Sequence, residues 1–198
     1  MALKLASIFF TMILVDNYVL SKFLGICPFL GVSKKLDSAV GMSLAVTFVM
    51  VMATAATWPI YTLILEPNGM AYLQTIVFIL VIAILVQLLE NFLKKFIPSL
   101  YAALGVYLPL ITTNCAILGV TILNIDNGYN FVESIVCAAG AGIGFLLAMV
   151  LFSGVRRKVE AAKPPKCFEG LPITLVAAAM TSMSFMGFGG IVSAIFGV

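Results

Sequence analysis

Long runs without a charged residue limit what this chain can fold into. Each run is at least as long as the roughly 20 residues that an α-helix needs to cross the hydrocarbon core of a bilayer. With 63% apolar and only 10% charged residues and a mean hydropathy of +1.19, the chain has too little polar surface for a water-soluble domain. The sequence therefore predicts an all-α integral membrane protein. The uncharged runs are residues 38–65, 67–89, 96–125, 134–155 and 170–198.

A sixth span is expected within residues 1–32, although Asp16 and Lys22 interrupt its apolar pattern. No small-residue cleavage site follows the apolar stretch, which argues against a signal peptide. At about 1.5 Å per residue, a straight helix of this length would exceed a hydrocarbon core of roughly 30 Å. We therefore expect a broken first helix. Pro28 supplies a reason for the break, because a proline ring removes a backbone donor and clashes with the preceding turn, and Gly25 and Gly31 are expected to loosen the same place.

The positive charges predict how the chain is oriented in the membrane. Nine of the eleven Lys and Arg residues follow the first, third and fifth predicted spans, whereas the loops "EPNG" and "NIDNG" contain none. Cytoplasmic loops carry an excess of Lys and Arg, so both termini are expected on the outer side, with Lys4 as a minor exception. The nine loop cations are Lys34, Lys35, Lys94, Lys95, Arg156, Arg157, Lys158, Lys163 and Lys166.

A cysteine-centred decapeptide occurs twice. "FLGICPFLGV" at 23–32 and "ITTNCAILGV" at 111–120 both end in Cys-x-x-Leu-Gly-Val. With six spans, the chain divides into two repeats of three spans, about 1–97 and 98–198, within a single membrane domain. An odd number of crossings inverts the second repeat, and inverted repeats place their functional site near the midplane, at discontinuous helices. Coincidence among common residues is the alternative explanation.

The repeat places one cysteine in the opening helix of each half. Cys27 belongs to the first helix and Cys115 to the fourth, where Pro109 and a polar trio are expected to weaken the helix. A pseudo-twofold axis would bring the two thiols toward each other. The polar trio is Thr112, Thr113 and Asn114.

The composition of this chain restricts which cofactor two thiols at the midplane could bind. Histidine is absent, which removes the usual haem ligand and imidazole metal sites. Iron–sulfur clusters need four thiolates, so Cys27 and Cys115 amount to half a site. Either Cys137 and Cys167 complete it or a partner protein does. Cys137 is expected to be a packing residue among small neighbours. Cys167, in "KPPKCFEG", is expected to be a reduced thiol in a cytoplasmic loop.

Several longer stretches carry a family resemblance. "DNYVLSKFLGICPFLGVSKKLDSAVGM" and "LPLITTNCAILGV" resemble the A-type membrane subunits of Rnf complexes, the ion-translocating ferredoxin:NAD oxidoreductases. The resemblance extends over essentially the whole chain, including "FILVIAILVQLLE", "NIDNGYNFVESIVCAAGAGIGFLLAMVLF" and "SFMGFGG". The E-type subunit of the sodium-pumping NADH:quinone oxidoreductase is similar and remains an alternative, but the residues around the two cysteines resemble the Rnf branch more closely.

The resemblance implies a subunit of a redox-driven translocase that is not catalytic by itself. It implies a [2Fe–2S] cluster in mid-membrane, with Cys27 and Cys115 as the ligands from this chain and two more from a homologous E-type subunit. It further implies other partners, a ferredoxin-type iron–sulfur subunit and a flavin-bearing subunit, with no flavin on this chain. The location implied is the bacterial inner membrane, and nucleic acid is not an expected partner.

Ion translocation requires groups that bind Na+ or H+, and ionisable residues inside spans are the first candidates. Asp16 and Lys22 are such residues, with the Thr112, Thr113 and Asn114 oxygens as neutral ligands. An Asp16–Lys22 ion pair is the alternative, although a spacing of six is poor for a straight helix. Glu90 is expected to pair with Lys94 at the interface. A cofactor-free inverted-repeat ion carrier remains the alternative function.

Two further patterns have structural interpretations. "GAGIG" at 140–144 resembles part of a nucleotide-binding loop, but it lies inside an apolar span and favours close helix packing. Glu133 is expected to be a cap or loop residue, and Trp58 an interfacial aromatic near the outer end of the second span.

Overall fold

The computed structural model describes residues 2–33, 36–96, 108–162, 165 and 168–187. Within these ranges the chain is helical and contains no strand. A π-helical turn, Tyr61–Leu65, extends the third helix beyond Pro59, and a 3-10 turn, Ala71–Leu73, leads into the fourth. The α-helices are α1 (Ala2–Leu14), α2 (Ile26–Val32), α3 (Leu36–Ile60), α4 (Gln74–Phe96), α5 (Leu108–Thr112), α6 (Cys115–Asp126), α7 (Phe131–Ala161) and α8 (Leu171–Met186).

Three helical segments of the described chain are long and apolar enough to cross a membrane. They are Leu36–Leu65, Ala71–Phe92 and Phe131–Val159, which coincide with the second, third and fifth predicted spans. The other predicted spans correspond to shorter apolar helices, and the first and fourth of the predicted spans are interrupted. The shorter apolar helices are Lys4–Leu14, Leu110–Asp126 and Leu171–Met186.

The antiparallel pair α3 and α7 forms the centre of the fold. At one end, the Arg156 guanidinium donates to the Ser33 hydroxyl over 2.8 Å. At the other end, the Trp58 indole N–H donates to the Tyr129 carbonyl over 3.0 Å. Since Trp58 follows Ser33 whereas Tyr129 precedes Arg156, the two helices run in opposite directions. Trp58 thereby ties the end of α3 to the start of α7.

The small residues of "GAGIG" allow neighbouring helices to approach α7 closely. A Cβ built on Gly140 would lie 3.1 Å from the Phe9 carbonyl oxygen of α1. A Cβ built on Gly142 would lie 2.8 Å from Thr47 Cβ of α3, closer than real Cβ contacts come. The sequence therefore serves helix packing, as expected from its position inside an apolar span.

Helix α1 runs parallel to α7 and is fixed at its start. The Lys4 ammonium lies 2.8 Å from a Glu133 carboxylate oxygen. Glu133 also accepts from the backbone N–H of Asn130, and together these two residues form a capping box at the start of α7. The prediction that Glu133 is a cap residue is confirmed, and Lys4 is positioned by the same carboxylate.

Candidate intramembrane cysteine site

The first apolar segment is broken as predicted and the break ends at Gly25, but Pro28 is not its cause. Helix α1 ends at Leu14 and α2 begins at Ile26, so residues 15–25 are non-helical. Pro28 lies in the first turn of α2, where a missing N–H breaks no helical hydrogen bond. The backbone instead turns at Gly25, the N-cap of α2, whose φ is 82°.

The Asn17 side chain forms hydrogen bonds with backbone groups of this break. Its side-chain oxygen accepts from the N–H groups of Val19 and Leu20, at 3.1 and 3.4 Å, and its amide donates to the Gly144 carbonyl of α7 over 2.7 Å. Asn17 is 1% exposed, and the neighbouring Tyr18 is 2% exposed. Non-helical backbone is tolerated at membrane depth where protein buries it, and the residues Asn17 to Leu20 meet that condition.

The same contact sets the depth of the break. Gly144 lies near the middle of α7, a helix of 31 residues. Asn17, which bonds to it, therefore lies at about the middle of the helical layer. The break in the first segment is thus a mid-depth feature.

The second break is shorter and has a different cap. Helix α5 ends at Thr112 and α6 begins at Cys115. Asn114 is the N-cap of α6, and its side-chain oxygen accepts from the Ala116 N–H over 3.0 Å. The predicted weak point of this segment therefore falls at Thr113 and Asn114.

The structure brings the starts of α2 and α6 into contact. A Cβ built on Gly25 would lie 3.1 Å from each of three atoms, Asn114 Oδ1, Ala116 Cβ and Phe145 Cε2. Cys27 follows Gly25 by two residues, and Cys115 lies between Asn114 and Ala116. Phe145 adjoins Gly144 at the middle of α7, so the two cysteine-bearing helix starts meet at mid-depth.

The cysteines differ in accessibility. Cys27 and Cys115 are free and exposed, whereas Cys137 is free and buried, with 1% of its surface exposed. Among the described residues, no group of three or more His, Cys, Asp or Glu could hold a metal ion. Cys167 lies outside the described residues. Two exposed thiols fit half of a four-thiolate site, and the described part of this chain does not supply the other half.

A cavity of about 300 Å³ opens beside Cys115, between α4 and the second break. Thr112, Thr113 and Asn114 also line it, so three of the sequence-predicted ion ligands share a wall with one of the cysteines. Glu90 lies seven residues beyond Ala83, the last α4 residue in this wall, or about 10 Å along the helix.

Asp16 and Lys22 form an ion pair, with an N···O distance of 3.8 Å. The expectation that a spacing of six disfavours this pair was wrong, because the segment between them is not helical. Asp16 also lines a second cavity, of about 150 Å³, together with Ser21 and Ser182 of α8. The Ser182 hydroxyl donates to the Leu20 carbonyl, which ties α8 to the break. The carboxylate therefore lies at mid-depth beside hydroxyl oxygens.

Sequence reasoning missed two residues that hold the site. Asn17 was treated only as part of an apolar segment, although a lone amide beside a charged residue in a membrane span is a signal for a break. Arg156 was counted only as a loop cation, yet it is 6% exposed and donates to the Leu30 carbonyl as well as to Ser33. Arg156 thereby anchors the C-terminal end of α2, which carries Cys27.

Comparisons with known proteins match nearly the whole chain. A family model described as "Rnf-Nqr subunit, membrane protein" matches residues 5–192. The chain is 56% identical to the A-type subunit of the Na(+)-translocating ferredoxin:NAD(+) oxidoreductase complex of Acetobacterium woodii, over 95% of this chain and 98% of that protein. It is also 54% identical to the A-type subunit of the ion-translocating oxidoreductase complex of Syntrophotalea carbinolica, over 91% of this chain and 93% of that protein. The corresponding protein of Aliivibrio fischeri is 52% identical over the same shares.

Proposed function

Because the chain belongs to the Rnf-Nqr family of membrane subunits, we propose that it is the A-type subunit of an ion-translocating ferredoxin:NAD oxidoreductase and that it relays electrons across the membrane. The family resemblance drawn from the sequence is confirmed by the match over residues 5–192 and by relatives at 50–56% identity. The observation that carries the relay proposal is the meeting of two cysteine-bearing helix starts at mid-depth. The chain has no substrate of its own and acts only within its complex.

Cys27 and Cys115 would each supply one thiolate to a [2Fe–2S] cluster, and a homologous E-type subunit would supply two more. Both thiols are exposed on this chain, as ligands shared with a partner must be. When bound, such a cluster accepts and passes on a single electron. The start of α6 is the positive end of its helix dipole, which favours the negative charge of a thiolate at Cys115.

The chain's own residues would determine the depth at which the electron-carrying cluster lies. The contact between Gly25 and Asn114 holds both ligands near the middle of α7, so a crossing of roughly 30 Å is divided into two shorter steps. The buried break around Asn17 keeps water from the protein side of the site, since Tyr18 and Leu20 are each 2% exposed. Arg156 fixes the far end of the helix that bears Cys27.

The proposed arrangement in the bacterial inner membrane has six spans in two inverted repeats, about 1–97 and 98–198, with both termini on the outer side. The described charges support this orientation. Because α3 and α7 run antiparallel and α4 returns along α3, Lys94 at the end of α4 and Arg156 near the end of α7 lie on the same side as Ser33. Lys4 and Trp58 lie on the opposite side.

Translocation of Na+ or H+ would be coupled to the electron through charge. A cation close to the cysteines compensates for negative charge that arrives there, and this attraction is strong in a low-dielectric interior. Asp16 is the proposed ionisable ligand in its own cavity, with Lys22 as its resting partner at 3.8 Å. The oxygens of Thr112, Thr113 and Asn114 are proposed as neutral ligands in the separate cavity beside Cys115. Asp16→Asn should abolish ion transport in vesicles, and intact transport would remove this residue from the pathway.

The test of the relay uses the whole complex, purified without oxygen from wild type, Cys27→Ser and Cys115→Ser. Each of these variants should lose one [2Fe–2S] signal in EPR of the reduced sample, together with two iron atoms per complex, while the complex remains assembled. Cys137→Ser is the matched control, because this thiol is buried and should leave the signal unchanged. Unchanged iron and spectra in both ligand variants would instead favour a cofactor-free inverted-repeat carrier.

A further inference from the structure

The Asn114 amide uses only half of its hydrogen-bonding capacity. Its oxygen is committed to capping α6 through the Ala116 N–H, and this bond fixes which end of the amide carries the nitrogen. The nitrogen, Nδ2, is buried and has no hydrogen-bond partner among the described residues. Buried donors are rarely left unpaired, because they lose their bonds to water without replacement.

The other two buried asparagines of the described chain use their amide donors, although the Asn124 oxygen has no hydrogen-bond partner among the described residues. Asn17 and Asn124 are each 1% exposed, and Asn114 is 4% exposed. The Asn17 amide donates to the Gly144 carbonyl over 2.7 Å, and the Asn124 amide donates to the Ser134 carbonyl over 3.3 Å. Of these three described asparagines, Asn114 alone leaves its donor unused, and it is the one beside a cysteine.

The position of Asn114 indicates where the missing acceptor comes from. Asn114 and Cys115 are consecutive, and both line the cavity that opens toward α4. The Cys115 thiol itself is not within hydrogen-bonding distance of Nδ2. The acceptor is therefore expected to arrive with the group that occupies the space next to Cys115.

We propose that Asn114 donates its free amide N–H to a sulfur atom of the iron–sulfur group held at Cys115, and that this bond raises the reduction potential of the group. The proposal rests on the cluster site proposed above and adds a positioning residue to it. Reduction adds one electron and hence one negative charge to the group. An N–H dipole aimed at sulfur stabilises the reduced form more than the oxidised form, which makes reduction easier.

The experiment compares Asn114→Ser with wild type in the anaerobically purified complex. Serine is a good N-cap and keeps the acceptor for the Ala116 N–H, but it removes the amide donor. The matched control is Asn124→Ser, which removes a satisfied amide donor from the same helix, nine residues from Cys115. Both variants are followed by iron content, by EPR redox titration and by the exchangeable-proton couplings in pulsed EPR.

For Asn114→Ser we expect full iron content. The ratio of reduced to oxidised cluster should be about tenfold lower at any fixed potential, which means that the reduction potential falls by ~59 mV for a one-electron couple. One exchangeable-proton coupling should also disappear. Asn124→Ser should keep the wild-type potential. If Asn114→Ser does not assemble, Asn114→Gly decides the question, because glycine is tolerated at an N-cap and brings neither a side-chain donor nor a charge.

A wild-type potential in Asn114→Ser, or in Asn114→Gly where serine does not assemble, would overturn this inference and leave the relay intact. A signal that survives both Cys27→Ser and Cys115→Ser would overturn the relay itself and this inference with it. The two failures are therefore distinguishable by experiment.

Discussion

Gly25→Ala tests whether contact between the two helix starts builds the site. The wild-type φ of 82° is left-handed, and alanine there costs roughly 1–2 kcal/mol. The new methyl would also lie 3.1 Å from Asn114 Oδ1, Ala116 Cβ and Phe145 Cε2, whereas ordinary carbon contacts lie at about 3.5–4.0 Å. Overpacking of this kind costs about 1–3 kcal/mol, so the total is about 2–5 kcal/mol. Relief of the clash must move the Cys27 and Cys115 helices apart.

Gly128→Ala separates the two contributions. Gly128 has a φ of 64°, but nothing lies within 4 Å of a Cβ built there, so only the backbone cost of roughly 1–2 kcal/mol applies. Stability is measured as the midpoint of thermal unfolding of the purified complex in detergent, and site integrity as iron content and [2Fe–2S] EPR intensity. Gly25→Ala should lose more stability than Gly128→Ala and should also lose cluster, whereas Gly128→Ala should keep it.

The reasoning is refuted if both alanine variants lose the same stability and retain full iron. That result would mean that the space around Gly25 is not constrained by the start of α6. The proximity of the two cysteines would then not depend on this contact.

Three further substitutions test the packing and hydrogen bonding that support the site. Gly142→Ala places a methyl 2.8 Å from Thr47 Cβ and should lower the stability of the protein by about 1–3 kcal/mol. Gly154→Ala lies on the same helix, has nothing within 4 Å of its new methyl, and should raise the stability by roughly 0.5–1 kcal/mol. Equal melting temperatures of the two variants would contradict this. Trp58→Phe removes the 3.0 Å bond to the Tyr129 carbonyl and should cost about 0.5–1.5 kcal/mol, because the carbonyl keeps only its 3.4 Å bond from the Ser134 hydroxyl. An unchanged melting temperature would show that water replaces the lost bond.

The apolar runs predicted the long helices well, because length and hydropathy alone decide which segments can cross a bilayer. They located the first break only approximately. Gly25 ends it, as its place in the sequence suggests, but Pro28 lies in the first turn of a helix and does not cause it. The determining factor was a long-range bond from Asn17 to Gly144, which no local pattern reveals.

The candidate site was predictable only in part. The repeat identified Cys27 and Cys115, because their shared Cys-x-x-Leu-Gly-Val ending is visible in the sequence. The pairing of Asp16 with Lys22 was judged by helical spacing and was therefore misjudged, because the spacing rule holds only where the chain is helical. The free donor of Asn114 depends on which of its atoms caps α6, and that is a property of the folded structure.

The two breaks differ in a way that assigns their roles. If both served only to present a cysteine, a short interruption would suffice in each half, and Thr113 with Asn114 shows that two residues are enough. The first half instead uses residues 15–25 and keeps an ion pair there, at a depth where each charge is costly. Since the thiol does not require this extra segment, the added charges point to the second task of the complex, ion translocation. Electron and ion functions would thus share one interrupted helix, with the ion pair on one side of Gly25 and Cys27 on the other.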